Sequence, residues 1–196
     1  MSTDLDGIRI ITVSGRIASG STTLARNLAQ KLGWRYIEGG DVFWEKVRAK
    51  LGLHQKDTHK RPDEADQIFD DELKKMLKVE KNLVLETKLA GFNAQGTPGV
   101  FKVLVVCEDE KGQDHIDIRI DRLLNRENVS VEEAKSEVIE RERNDIEKYR
   151  RMYAGGDSGW VFWDRKYYDF VVNTFSHNSE EAVELVFSQL KNLKSS

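Results

Sequence analysis

The chain has 196 residues, 39% of them apolar and 33% charged, a length and balance that suit one globular domain with a substantial core. With 31 Lys and Arg against 34 Asp and Glu, the formal net charge is −3, which argues against non-specific attraction to nucleic acid or membrane surfaces. One cysteine, Cys107, excludes an internal disulfide and a cysteine metal cluster. No apolar stretch reaches membrane-spanning length, and the opening MSTDLDG is too acidic and polar for a signal peptide, so the expectation is a cytoplasmic protein.

The first ordered unit runs from Ile8 to Leu32 as IRIITVS, GRIASGST, TLARNLAQKL. A β-branched apolar run enters a loop with two glycines, and the loop opens into a helix carrying Leu24, Leu28 and Leu32 on one face. The spacing from Gly15 to Gly20, followed by Thr22, matches the phosphate-binding P-loop at every position but one: Ser21 stands where that motif has lysine. Glycines let backbone N–H groups approach an anion, a helix start at about Ser21 adds its dipole, and Thr22 offers a hydroxyl to Mg²⁺. Catalysis of phosphoryl transfer is mostly positioning and charge neutralisation, so the missing ammonium has to be replaced from elsewhere. The bland alternative is a βα turn with glycines for close packing.

Gly33 stops the first helix, and Trp34–Ile37 reads as a short strand. Gly39 and Gly40 then precede Asp41, a cap for a helix over about 42–51; this is either a second phosphate seat or a plain strand-to-helix turn. His54 and His59 have no ligand spacing around them and read as surface residues. Pro62 opens a helix to about Val79 with Asp63 and Glu64 in its first turn. Asn82–Glu86 is an interior strand, and its carboxyl end makes Glu86 and Lys88 candidates for a ligand site, the alternative for Lys88 being a solvated loop residue.

Phe101–Cys107 is the next buried strand, with Cys107 as a small buried hydrophobe, and Asp114 or Asp117 starts a helix to Arg126. Ser130 with Glu133 is a capping box that opens one long helix to about Tyr153. It contains RERNDIEKYRR, either a helix laced with surface ion pairs or a cationic lid over a polyphosphate. After a glycine break, Trp160–Tyr168 suggests a short helix whose aromatics pack on the core or form an RNA-stacking platform. Asp169–Thr174 is the last strand, and Asn178 or Ser179 caps the final helix. The alternation of strands and helices predicts an α/β fold: a five-stranded parallel sheet with helices on both faces.

With these segments in place, the chain resembles the cytidylate kinases, specifically the archaeal-type branch of the P-loop nucleoside monophosphate kinases. The resemblance rests on ITVSGRIASGSTT, GWRYIEGGDVF, NLVLETKLAGF, RERNDIEKYRRMY and YYDFVVNT, five segments in order over nearly the whole length. It implies a single P-loop kinase domain over residues 1–196, with a nucleoside-monophosphate-binding insert at about 40–80 and a lid at about 130–158. It implies transfer of the ATP γ-phosphate to CMP or dCMP with Mg²⁺, by a monomer without nucleic-acid partners. Gly15, Arg16, Ile17, Ala18, Ser19, Gly20, Ser21, Thr22 and Thr23 would cradle the ATP phosphates, with Thr22 on the metal. Gly40, Asp41, Arg48, Lys88 and Gly91 would line the monophosphate site, and Arg141, Arg143 and Lys88 would act on the transferred group.

The chain departs from the family pattern at Ser21, Trp44, Lys88, Ile146 and Lys148, several of which stand where arginines or the lysine are expected. Arg48, Arg126, Arg143 and Arg150 are available to compensate. The departures leave two alternatives open, a kinase for a different acceptor and a nucleotide-binding protein that has lost catalysis.

Overall fold

The structure is a computed structural model that describes residues 3–40, 62–126 and 128–193. Five strands, β1 (Ile10–Gly15), β2 (Arg35–Glu38), β3 (Leu83–Glu86), β4 (Val100–Val106) and β5 (Phe170–Asn173), form one sheet in the order β2-β3-β1-β4-β5. Every pairing is parallel, with Ile10 opposite both Leu83 and Val100, so all five carboxyl ends emerge on one edge. Because β1 lies between β3 and β4, the loop that follows it emerges in the middle of that edge, where open α/β sheets bind ligands.

Alternation along the strands separates two cores. Ile11, Val13, Val84, Val103 and Val105 face α1 (Ser21–Leu32) and the C-terminal helix, which contribute Leu24, Leu28, Val186 and Leu190. Ile10, Leu83, Leu85 and Val100 face the other way, onto Leu73 and Leu77 of α2 (Asp63–Val79) and Ala90 of the short α3 (Ala90–Asn93). Cys107, one residue beyond β4, is buried as expected.

Several elements differ in detail from the sequence expectation. β2 starts one residue late because Trp34 is buried and its indole N–H donates to the Thr3 carbonyl at 2.8 Å. Gly39 and Gly40 are already helical, while Asp41, Trp44, Arg48, His54, His59 and the helix expected over 42–51 lie outside the described residues. The helix expected from Asp114 or Asp117 is α4 (Ile116–Arg126); Asp117 falls in its first turn, and Asp114 turns instead to Arg119.

The Ser130 capping box is present, but the expected single α-helix is α5 (Val131–Lys135), a π-helical stretch over Ser136–Arg141, and α6 (Glu142–Tyr153). Each π turn adds a residue to the backbone ring, so the faces presented after Arg141 are rotated from those an unbroken helix would show. Trp160–Tyr168 contains only one 3₁₀ turn, Arg165–Tyr167, because its aromatics are drawn into a core of their own: Trp160 and Phe162 pack with Leu89, Ile146 and Tyr149. That packing is the core-packing arrangement of the two expected for these aromatics. Asn178 caps α7 (Ser179–Asn192) with a complete capping box.

Candidate active site

The loop after β1 is built to bring backbone close to a ligand. A Cβ on Gly15 would stand less than 3.0 Å from the Ser19 hydroxyl, so the loop folds back across its first residue only because that residue is glycine. Ala18 holds φ +58° and Gly20 φ +103°, two left-handed residues that reverse the chain into α1. The first backbone bond of α1 is from the Leu24 N–H to the Gly20 carbonyl at 3.0 Å. No side chain caps this helix, and its first turn carries no acidic residue. The amides ahead of Leu24 therefore point into the loop without helical partners, in the positive field of the helix terminus.

Ser21, in the position of the usual lysine, turns its hydroxyl away from the loop and donates to Glu86 Oε1 at 2.8 Å. Glu86 is buried at the end of β3, and burial pushes its carboxyl up to about 7, against the bond from Ser21 and helped by the nearby charge of Glu38. Thr22 is partly exposed on the same turn, and among the described residues its hydroxyl makes no hydrogen bond, so it suits a divalent ion.

A buried ionic network ties this loop to the helices after β4. Arg119 is 0% exposed; its guanidinium donates to the Ile17 carbonyl at 2.8 Å, to Glu142 Oε2 at 2.9 Å and to Asp114 at 2.9 Å. Glu142 also receives Arg16 and the Ile17 amide. Arg16 reaches Asp114 at 3.1 Å and lies over the Trp163 ring, 4.4 Å from its centroid. Burial opposes ionisation of Glu142, but the two guanidiniums outweigh it and hold the carboxyl below its ordinary range. Arg16, expected to touch phosphate, is thus committed to Glu142, Asp114 and Trp163.

A second cluster lies on the other side of the loop. Lys88 pairs with the buried Asp145, whose carboxylate is also 4.0 Å from Arg141 Nε; Arg141 pairs with Glu137 at 2.6 Å. Burial lowers the Lys88 pKa and Asp145 opposes that shift, so Lys88 is no solvated loop lysine. Gly91 donates its amide to Ser14 Oγ at 3.0 Å, and a Cβ there would run into the Tyr168 ring.

α6 and α2 meet through ion pairs. Lys148 pairs with Asp66, and Arg151 with Asp63 at 2.8 Å. Asp70 accepts from Tyr153 and from Asn93 at 2.9 Å, and burial raises its carboxyl to about 6. Ile146 is a core residue of the aromatic cluster, Arg150 donates to the Trp160 carbonyl at 2.9 Å, and Arg143 is exposed. The structure thus brings Lys88 and Arg141 together and leaves Arg143 apart from them. It adds Arg119, Glu142, Asp114 and Arg122, which sequence reasoning passed over. Their signal was the placing of Arg119, Arg122 and Arg126 at i, i+3 and i+7, one face of α4.

A cavity of about 430 Å³ adjoins the loop, lined by Gly20, Thr23, Arg122, Arg126, Thr174 and His177 among others. Among the described residues no group of three or more His, Cys, Asp or Glu is placed to hold a metal ion, and no helix is long and apolar enough to cross a membrane.

Comparison with known proteins bears on this geometry directly. Residues 14–150, from the end of β1 into α6, match the AAA domain family. The cytidylate kinase of Haloarcula marismortui is 34% identical over 168 residues, which cover 84% of this chain and 80% of that one. The chain belongs to the cytidylate kinase family. Another member, the cytidylate kinase of Archaeoglobus fulgidus, is 29% identical over 92% of this chain and 94% of its own length. The P-loop kinase fold is shared more widely: shikimate kinase from Acinetobacter baumannii superposes with a TM-score of 0.57 at 14% identity, covering 95% of each chain. A gluconokinase from Sinorhizobium meliloti superposes with a TM-score of 0.53 at 16% identity, over 96% of this chain and 94% of that one.

Proposed function

We propose that this chain transfers the γ-phosphate of ATP to CMP or dCMP, forming ADP and CDP or dCDP. The observation that carries the reading is the uncapped, acid-free start of α1 behind the Gly15–Gly20 loop, in a chain that aligns with cytidylate kinases over most of its length. The loop from Gly15 to Thr23 holds the donor phosphates through those amides not already bonded to Glu142 or to the Arg16 carbonyl, with Gly15 and Gly20 allowing the close approach. Thr22 would hold Mg²⁺, which would supply charge neutralisation to the donor phosphates.

The acceptor monophosphate sits beside Gly40, Asp41, Arg48, Lys88 and Gly91, in the insert at about 40–80 and the loop after β3. Its phosphate oxygen is the nucleophile, so no covalent enzyme intermediate is needed. Lys88 and Arg141 meet the transferred group after exchanging Asp145 and Glu137 for phosphate oxygens, which are stronger anions. Arg143 joins from the lid at about 130–158. The aromatic cluster of Phe92, Tyr149, Trp160 and Phe162 braces that lid and excludes water, against which the γ-phosphate would otherwise be lost. The chain acts as a cytoplasmic monomer, since both substrate sites lie within one fold.

A coupled ADP-release assay over CMP, dCMP, UMP and AMP tests the proposal. The expected result is turnover fastest with a cytidine nucleotide. Preference for UMP or AMP would overturn the acceptor assignment, and folded protein inert with all four would overturn the enzyme assignment.

A further inference from the structure

Among the described residues three arginines contact the phosphate loop: Arg16, which belongs to it, Arg119, bonded to the Ile17 carbonyl, and Arg122, bonded to the Ser19 carbonyl at 3.2 Å. The first two are neutralised by the carboxylates of Glu142 and Asp114. Arg122 differs. Its other bonds go to Thr174 Oγ1 at 2.8 Å and to the Thr174 carbonyl at 2.7 Å, and among the described residues no carboxylate lies within ion-pair distance. Neutral oxygens therefore fix the guanidinium and leave its charge intact. Three of its five N–H groups are used; Nε and one Nη2 hydrogen remain, on a partly exposed side chain that lines the 430 Å³ cavity next to Gly20 and Thr23.

The loop needs such a charge. Ser21 is neutral and its hydroxyl is spent on Glu86, so nothing at the lysine position reaches towards a phosphate. We infer that Arg122 is the cation that replaces the missing P-loop lysine: it binds the polyphosphate of the donor nucleotide directly, from α4 rather than from the loop. This rests on the proposed kinase reading. The placement explains the mode of anchoring. A lysine follows its phosphates on a flexible stem, whereas an arginine pinned by three carbonyl and hydroxyl bonds presents a pre-oriented fork. Tying Ser19 to Thr174 also holds the loop against the end of β5, and Thr174 itself packs where a Cβ on Gly20 would point, at 3.3 Å.

The experiment is calorimetric titration of wild type, Arg122→Lys and Arg122→Gln with Mg–ATP, ADP and adenosine. Both variants keep a donor for the Ser19 and Thr174 oxygens, but only lysine keeps the charge. Loss of a charge-assisted contact predicts Mg–ATP binding weaker by about 10- to 100-fold in Arg122→Gln. Arg122→Lys, which keeps the charge but loses the fork, should lose distinctly less Mg–ATP affinity than Arg122→Gln, and adenosine affinity should be unchanged in both. Equal losses in the two variants, or a loss that extends to adenosine, would reduce Arg122 to a structural tie and overturn the inference. Unchanged Mg–ATP affinity in Arg122→Gln would overturn it as well. Absence of Mg–ATP binding to wild type would instead remove the kinase reading beneath it, a separate result.

Discussion

Ser21 and Glu86 show how one substitution rearranges its surroundings. A lysine at position 21 would put an ammonium beside the buried Glu86 and favour the carboxylate; a serine offers only a hydroxyl bond, and burial leaves the carboxyl titrating near 7. The pH consequence follows from the direction of that shift. A carboxyl with a raised folded pKa binds more protons in the native than in the unfolded state between about 4.5 and about 7. Its contribution to stability is complete below 4.5 and is lost as pH rises through 7, on the order of 3 kcal/mol at most. Glu86→Gln should flatten the fall in urea midpoint across that window relative to wild type; Asp70, raised to about 6, leaves a residual slope of the same sign. Identical pH profiles for the two proteins would show that Glu86 is ionised in the native state like an ordinary carboxylate. Ser21 was legible as a departure from motif spacing, but its partner was not, because Glu86 lies 65 residues away and meets it only through the β1–β3 pairing.

The elements around the loop act through one buried network. Arg119 from α4, Glu142 at the start of α6 and Asp114 before α4 enclose Arg16 and the Ile17 peptide, and the π-helical stretch ends at Arg141, immediately before Glu142. A buried pair with one partner removed leaves an uncompensated charge, so Glu142→Gln should destabilise the protein by about 3 kcal/mol or more in urea unfolding. The Ile17 amide, which donates to Glu142 at 3.3 Å, should lose hydrogen-exchange protection in the same variant. Unchanged protection at Ile17 would mean that the loop holds its shape without α6.

RERNDIEKYRR announces a charged helix, but Lys148 and Arg151 turn to Asp66 and Asp63 on α2, and Arg141 to Glu137 within its own segment. Spacing within a helix identifies which residues share a face; it does not identify the partner element, and a π turn rotates the faces that follow. Arg119 was passed over for a similar reason, since an arginine on an amphipathic pattern reads as solvated until a distant carboxylate buries it.

For the molecule as a whole, alternating strands and helices were enough to predict a parallel α/β sheet, because the central runs of β1, β3 and β4 are largely apolar and set among helical patterns. The order β2-β3-β1-β4-β5 depends on packing across 160 residues of chain and came only from the structure. That order sets the phosphate loop at the centre of the carboxyl edge, between the end of β3 with Glu86 and Lys88 and the end of β4 leading to the Asp114–Arg119 network. The central claim is that this arrangement passes a phosphoryl group between two nucleotides and not to water. The most direct measurement is a single-turnover quench with ATP labelled at the γ-phosphate, Mg²⁺ and CMP, resolving label in CDP from label in inorganic phosphate. The account predicts that the label moves into CDP with little released as free phosphate; label appearing only as inorganic phosphate, or remaining in ATP while the protein is folded, would contradict it.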